Sequence, residues 1–515
     1  MNEGRTKNTI RNTTFSTIYK LSESILAFFL RSLFIKYLGT TYLGLSGLFT
    51  NILTVLSLMD LGLGSAIAFS LYKPIAEDDR TTINALTGLY KRVYTIIGVA
   101  IAVIGVSLTS FLPYLVKLPK DVPEINLIYW LCVANTSISY FYAYRRTLFY
   151  ANQRSDIIYK NDLVFKVIRF ATLLIVLFLF KNYILYLAFE TLITFASNLA
   201  LSLNARKKFR YLEVSGTRKL EKSETSNIVK YMSAGIFNKV GLTVVSSTDN
   251  ILISSFISTI LVGLYSNYLM VIENINLLIY LMFSGVTASV GNFAVSKSSE
   301  ESCKLFKKLN LLNWIAVFVC SVGIYTLVNP FIMLWLGKDF LLDEGTVAVL
   351  SLNFYIAAMQ NCTSNFMSSI GKLYYQNRYR ALVESLVNLV VSILLVKFTP
   401  LGITGVFLGT TVCFLCGRIW MDAYILYKHW FKVSFVLYML TYVIRMSITV
   451  ATAFGCMFLS NLIFAGFGLS ILSWIVCGLI CVAISTAIIL VLYSKSEEFT
   501  YVAQIVKKLI FKRAA

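Results

Sequence analysis

Apolar runs of membrane-spanning length alternate along the chain with short polar turns carrying Lys, Arg, Gly and Pro. Crossing the hydrocarbon as a helix takes about 20 mainly apolar residues. Against that length the runs predict spans near residues 13–37, 43–72, 86–112, 125–150, 157–180, 183–205, 228–254, 258–290, 309–330, 346–371, 380–398, 401–427, 434–460 and 468–493. They lack the two-residue alternation of a transmembrane barrel and far exceed its roughly ten-residue strands. The pattern predicts an all-α polytopic membrane protein with about 14 transmembrane helices.

Composition narrows the function classes. Only 14% of the 515 residues are charged and mean hydropathy is +0.73, against roughly 25% charged in a soluble domain. A soluble globular protein is excluded, and the spans leave loops too short for a soluble catalytic domain. Cys132, Cys320, Cys413, Cys416, Cys456, Cys477 and Cys481 sit inside apolar runs and read as small packing residues. Cys413 and Cys416 form one CxxC without a second pair, and the single histidine, His429, is in a loop. Neither a metal nor a redox centre is expected. The apolar stretch after the basic N-terminal segment contains Lys20, Glu23 and Arg31, unlike the uninterrupted core of a signal peptide, so no cleavage is expected.

The net charge of +21 is spread over many turns. An even number of spans puts both termini on one side, and that side collects most of the Lys and Arg. Arg5, Lys7 and Arg11 are followed by Lys91, Arg92 and Arg154, the dense stretch from Arg206 to Lys230, then Lys304, Lys307 and Lys308. The opposite side holds Lys36, Lys117, Lys120, Lys181, Lys338 and Lys397. The positive-inside rule makes the basic side, with both termini, cytoplasmic. Nucleic-acid binding would need a basic face on a folded domain, so no nucleic-acid partner is expected; these charges meet anionic membrane lipids. Towards the C-terminus, Phe499, Val502, Ile505, Val506, Leu509 and Ile510 recur at helical spacing opposite Lys507, Lys508, Lys512 and Arg513. That spacing predicts an amphipathic helix on the inner leaflet.

Displacing the chain by 219 residues sets Lys20 on Lys239, Leu33 on Leu252 and Gly44 on Gly263. With small gaps, FLPYLVKL from Phe111 meets VNPFIMLWLGK from Val328. One order is kept across spans 1–6 and 7–12, which predicts a duplication. The two six-helix repeats run parallel, related by an axis along the membrane normal, and enclose a central cleft that rocking opens to either side. The expected divisions are 1–205 for an N-terminal six-helix lobe, 206–227 for a basic cytoplasmic linker, 228–430 for a C-terminal six-helix lobe, 431–493 for two additional helices and 494–515 for the amphipathic tail.

An ionisable residue deep in a span costs about 2.5–3.5 kcal/mol on insertion scales and usually faces protein or a watery cavity. Lys20, Glu23 and Arg31 share one narrow face of span 1, and Asp60 is near the middle of span 2. In span 5, Asp162, Lys166 and Arg169 are spaced i, i+4, i+7, and Glu190 is in span 6. Lys239 and Asp249 are in span 7, Glu273 in span 8 and Arg445 in span 13. Arg145, Arg146, Lys160 and Lys397 read as structural ion pairs or snorkelling side chains. Lys20, Glu23, Arg31, Asp60, Lys239 and Asp249 are expected to line a polar cavity, with internal pairs such as Lys20 with Asp60. DLGLG from Asp60 has no phosphate-cradle pattern and reads as close helix packing.

Three stretches carry a family resemblance: IKYLGTTYLGLSGLFTNILTVLSLMDLGLGSAIAFSLYKPIAEDD from Ile35, DNILISSFISTILVGLYSNY from Asp249 and ASVGN from Ala288. The chain resembles the bacterial polysaccharide (oligosaccharide repeat-unit) flippases of the multidrug/oligosaccharidyl-lipid/polysaccharide exporter superfamily, and LYKPIAEDD is most similar to capsule and teichoic-acid exporters. The resemblance implies a V-shaped two-lobed bundle in the bacterial cell membrane. Its implied activity is moving undecaprenyl-pyrophosphate-linked oligosaccharide from the inner to the outer leaflet, with polysaccharide polymerase machinery as a further partner. By similarity the substrate-binding cations are Lys20, Arg31, Lys239 and Arg169, and the cavity or ion-linked acids are Glu23, Asp60, Glu190, Asp249 and Glu273. No cofactor is expected; Na⁺ or H⁺ exchange, or the membrane potential alone, supplies the drive. The alternatives are a cation-coupled multidrug exporter of the same fold, which tends towards an acidic cavity, and a membrane polysaccharide polymerase or ligase, which needs a larger outward loop than the one around Pro113 to Pro123.

Overall fold

Gly39 breaks the first long helix. The computed structural model describes residues 2–57, 63–115, 122–210, 220, 248–284, 298–369 and 380–511. Helix α1 (Asn2–Leu56) runs through the first predicted span into the second, and at Gly39 its backbone turns to φ 85°, ψ 177°, a conformation that glycine adopts without a Cβ clash. It is followed by α2 (Leu63–Ala76), α3 (Arg80–Leu108), α4 (Ile125–Ala151), α5 (Ser155–Leu179) and α6 (Tyr183–Lys208). Asp79 caps α3 by accepting from the Thr82 backbone N–H at 3.0 Å, and Asn182 caps α6 by accepting from Leu185 at 3.1 Å. Helix α7 (248–257) ends in a π-helical turn, and extended Ser258 separates it from α8 (Thr259–Ser284). Gly39 and Ser258 stand 219 positions apart, so the helix break recurs at one position of the predicted duplication.

The later helices are α9 (Ser299–Leu336), α10 (Glu344–Ser369), α11 (Arg380–Phe398), α12 (Gly402–Phe431), α13 (Val436–Phe467), α14 (Ile471–Tyr493) and α15 (Glu497–Phe511). Ser298 and Glu301 form a reciprocal capping box at the start of α9. Helix α12 contains two π-helical turns, Phe414–Arg418 and Leu426–Phe431. Helix α15 is the amphipathic segment predicted from spacing; Val502 is buried and Tyr501 lies under the Lys308 ammonium at 5.2 Å.

The chain forms two compact units, Met1–Gly263 and Leu264–Ala515. In the first, α1 packs on α5, and α4 packs on α3 and α6. Phe49 meets Tyr129 edge-on at 5.0 Å, and Phe34 meets Tyr183 and Tyr186 at 5.5 and 5.3 Å. In the second, α9 packs against α10, α13 and α14, with Trp314 stacked on Phe318 at 5.1 Å.

Seven of the described helical segments are long and apolar enough to cross a membrane. Helix α14 shows what solvent they are built for. Its buried positions are Ser473, Cys477, Cys481, Ser485 and Ile489, a stripe at four-residue spacing, while Leu472 and Val491 are 73% and 82% exposed. Small and polar residues inside with large apolar residues outside is the order a lipid surround selects. The protein is thus a multi-pass, all-α membrane protein. The described cysteines are all free; Cys456, Cys477 and Cys481 are buried packing residues as their positions in the apolar runs predict, whereas Cys416 is exposed.

Candidate functional site

Helix α5 organises the charges of the first unit. Its residues Asp162, Lys166 and Arg169 lie on one face and climb about 10 Å along the axis, and each reaches a different neighbour. Asp162 Oδ1 accepts from Arg146 Nη2 of α4 at 2.7 Å. Lys166 Nζ donates to Glu23 Oε1 of α1 at 2.6 Å, where the Tyr19 hydroxyl also donates at 3.2 Å. Arg169 donates to Thr194 Oγ1 of α6 at 2.6 Å and lies 3.5 Å from Glu190 Oε1. The periodicity that put three charges on one face therefore also ties α1, α4 and α6 to α5.

These side chains open onto a cavity of about 520 Å³. Arg146, Asp162, Lys166 and Arg169 line it, together with Tyr19, Tyr94, Tyr140 and Phe165 and the polar side chains of Thr136, Ser139, Thr194, Ser197 and Asn198. The wall therefore offers cations, hydroxyls and aromatic faces together. The paired side chains keep between 14% and 42% of their exposure, so an incoming anion can compete with the carboxylates for guanidinium and ammonium groups, which hold phosphate oxygens through charge-assisted hydrogen bonds.

Of the residues singled out by sequence, Arg169 lines this cavity, and Glu23 and Glu190 hold its Lys166 and Arg169. Lys20 and Arg31 are half-buried on α1, Arg31 near Tyr186 of α6. Asp249 is buried in α7 of the first unit, and Glu273 is exposed on α8 in the second. Asp60 and Lys239 lie outside the described residues, and with them the Lys20–Asp60 pair. Arg145 donates to the Ser202 carbonyl at 2.9 Å, and Lys160 sits over the Phe15 ring at 4.4 Å, contacts with neutral groups rather than ion pairs. Arg146 does form an ion pair, and it also lines the cavity. Sequence spacing alone missed that second role and the aromatic lining, because neither depends on one helix's periodicity.

The second unit buries a charge cluster of its own. Glu384 of α11 lies 3.3 Å from Arg380 and 3.5 Å from Arg418 of α12, and Arg380 also pairs with Asp422. Gln360 of α10 donates to the same Asp422 oxygen. Gly417 allows the approach, since a Cβ there would fall 3.0 Å from Glu384 Oε1. Two acids balance two arginines, which is a structural arrangement. Among the described residues no group of three or more His, Cys, Asp or Glu side chains could hold a metal ion.

A family model described as polysaccharide biosynthesis protein matches residues 9–288. No curated protein matches the chain. Among solved structures, the lipid II flippase MurJ in an inward closed conformation is similar with a TM-score of 0.66 at 16% identity, covering 93% of this chain and 98% of that one. An inward-facing multidrug resistance MATE family transporter of the MOP superfamily is similar with a TM-score of 0.63 at 13% identity, over 80% and 99%. A MOP superfamily transporter from Pyrococcus furiosus, whose binding pocket is described as having reverse polarity, reaches 0.54 at 13% identity, over 82% and 94%. The fold is that of the MATE and MurJ transporters.

Proposed function

Because the chain belongs to the polysaccharide biosynthesis protein family, we propose that it is a flippase for undecaprenyl-pyrophosphate-linked oligosaccharide repeat units of capsule or teichoic-acid type. In this reading it has fourteen spans with both termini in the cytoplasm and moves its substrate from the inner to the outer leaflet of the bacterial cell membrane by alternating access. It is a transporter and not an enzyme.

The observation that carries the reading is the α5-centred cavity. A pyrophosphate-linked sugar cannot cross hydrocarbon unaided, while its isoprenoid chain can stay in lipid. Arg146, Lys166 and Arg169 suit the phosphates; Thr194, Ser197 and Asn198 suit sugar hydroxyls; Tyr19, Tyr94 and Tyr140 present flat faces to sugar rings. Lys20, Arg31 and Lys239 are the further cations this reading assigns to the substrate. Outward movement of an anion releases about 2.3 kcal/mol per charge per 100 mV when the inside is negative. That drive needs no ATP, and the sequence has no GxxxxGK[ST] motif. Asp60, Glu190, Asp249 and Glu273 are the acids at which Na⁺ or H⁺ exchange would act. A drug exporter for cations would be served by unpaired acids, whereas here Asp162, Glu23 and Glu190 each face a cation.

Depletion of the protein tests this. Lipid-linked oligosaccharide should accumulate in the inner leaflet while surface polymer falls. Drug sensitivity without that accumulation would instead mark an exporter, and outward but unpolymerised repeats a polymerase.

A further inference from the structure

Arg445 of α13 is buried among neutral groups. Its Nε donates to the Tyr493 hydroxyl at 3.0 Å and its Nη1 to Asn310 Oδ1 at 2.8 Å. Its guanidinium lies over the Trp314 and Tyr493 rings at 5.2 and 5.4 Å. It is only 7% exposed, and among the described residues no acid forms an ion pair with it. A buried cation within a membrane protein is normally paired, and guanidinium has five N–H donors, of which these bonds use two. Asn310 is 5% exposed, and its Nδ2 has no partner among the described residues. Both residues line a cavity of about 960 Å³ in the second unit, where α9, α12, α13 and the junction of α14 with α15 come together. Among the described residues, two sets of donors with no further partner thus meet in one space, an arrangement that suits an anion.

The rest of the cavity says what kind of anion. Lys304, Lys307 and Lys432 line it along with the acids Glu300 and Glu498; Glu300 is occupied by Lys304 at 2.8 Å. The walls include Phe306, Leu311 and Phe431, which suit a hydrocarbon chain better than a free, fully hydrated phosphate. Leu437 also lines the cavity, and with Val436 and Leu440 it is more than half exposed on α13. The cavity is therefore continuous with the bilayer-facing surface of that helix. Basic pockets between membrane helices on the cytoplasmic side hold anionic lipid head groups.

We propose that this cavity binds the phosphate of an anionic membrane lipid, with Arg445 and Asn310 as its buried donors and Lys307 and Lys432 at its mouth, at a site separate from the α5 cavity. The same chemistry is offered by a bilayer phospholipid and by the polyprenyl phosphate carrier.

The full-length protein in detergent, titrated with dioleoylphosphatidylglycerol, dioleoylphosphatidylcholine or undecaprenyl phosphate while Tm is followed, tests the site. An anionic lipid should raise Tm saturably and phosphatidylcholine should not. Lys307→Gln with Lys432→Gln, both exposed, should weaken half-saturation about tenfold. Arg445→Gln should abolish the saturable shift. Whichever anionic lipid saturates at lower concentration in a Lys-dependent way identifies the source. Equal responses to phosphatidylglycerol, undecaprenyl phosphate and phosphatidylcholine, or unchanged affinity in the lysine double variant, would overturn the proposal.

Discussion

Gly44 and Thr259 touch backbone to backbone: a Cβ built on Gly44 would fall 2.2 Å from the Thr259 carbonyl oxygen. The contact is reciprocal, because a Cβ on Gly263 would fall 2.8 Å from the Thr40 carbonyl oxygen. Thr40 and Thr259, like Gly44 and Gly263, are 219 residues apart. At the displacement of 219 residues the same two positions thus meet crosswise, Gly44 on Thr259 and Gly263 on Thr40.

Gly44→Ala should therefore destabilise the protein by about 1–3 kcal/mol, the range for overpacking a close contact, read as lower Tm and abundance. Gly323→Ala is the control. It sits inside α9 with open space around it, so the better helix propensity of Ala should leave stability equal or raise it by up to about 1 kcal/mol.

Asp156 should tie stability to pH. Its carboxylate is buried between Arg11 at 3.2 Å and Arg154 at 3.0 Å, and Asn12 bonds the Asp156 backbone N–H and the Gln153 carbonyl. Burial by itself raises its pKa, but Arg154, Arg11 and Lys160 outweigh it and hold the carboxyl below its ordinary value. A depressed acid contributes stability above its unfolded pKa, about 3.9 for Asp, and loses it as pH falls through the folded value. Asp156→Asn should lower Tm at pH 7, and the gap to the wild type should close only in acid below pH 4, measured by thermal melts across pH.

The fold and part of the site were legible for separate reasons. The i, i+4, i+7 charges of α5 and the gap between the first two spans are local patterns, and the structure turns them into the ion-pair ladder and the Gly39 break. Arg146 was legible as a paired charge but not as a cavity wall, because that depends on which helix stands opposite. The Arg380–Glu384–Arg418–Asp422 cluster was missed because its arginines look like ordinary charges near helix ends. The π-helical turns of α12 leave no mark in hydropathy at all.

Orientation is open to direct labelling. In a background without the nine native cysteines, cysteines at positions 207 and 304 should be shielded from an impermeant thiol reagent outside intact cells, and one at position 338 should react. External labelling at 207 would reverse the topology.

Truncation after Tyr493 should lower abundance more than transport per molecule, since α15 docks on α9 through Tyr501 and Lys308 and stands outside the α5 cavity. Immunoblot abundance and surface polymer measured together separate the two effects.

The central claim is that the α5 cavity holds the anionic head group. Replacing Lys166 or Arg169 by Gln keeps polarity while deleting a charge-assisted bond of about 1.5–3 kcal/mol, roughly ten- to a hundredfold in affinity. The decisive measurement is surface polymer per molecule of protein in these two variants, with exposed Lys397→Gln as control. The account predicts at least a tenfold fall at normal abundance for both and none for the control. Normal export from both variants, or a loss matched by lost protein, would contradict it.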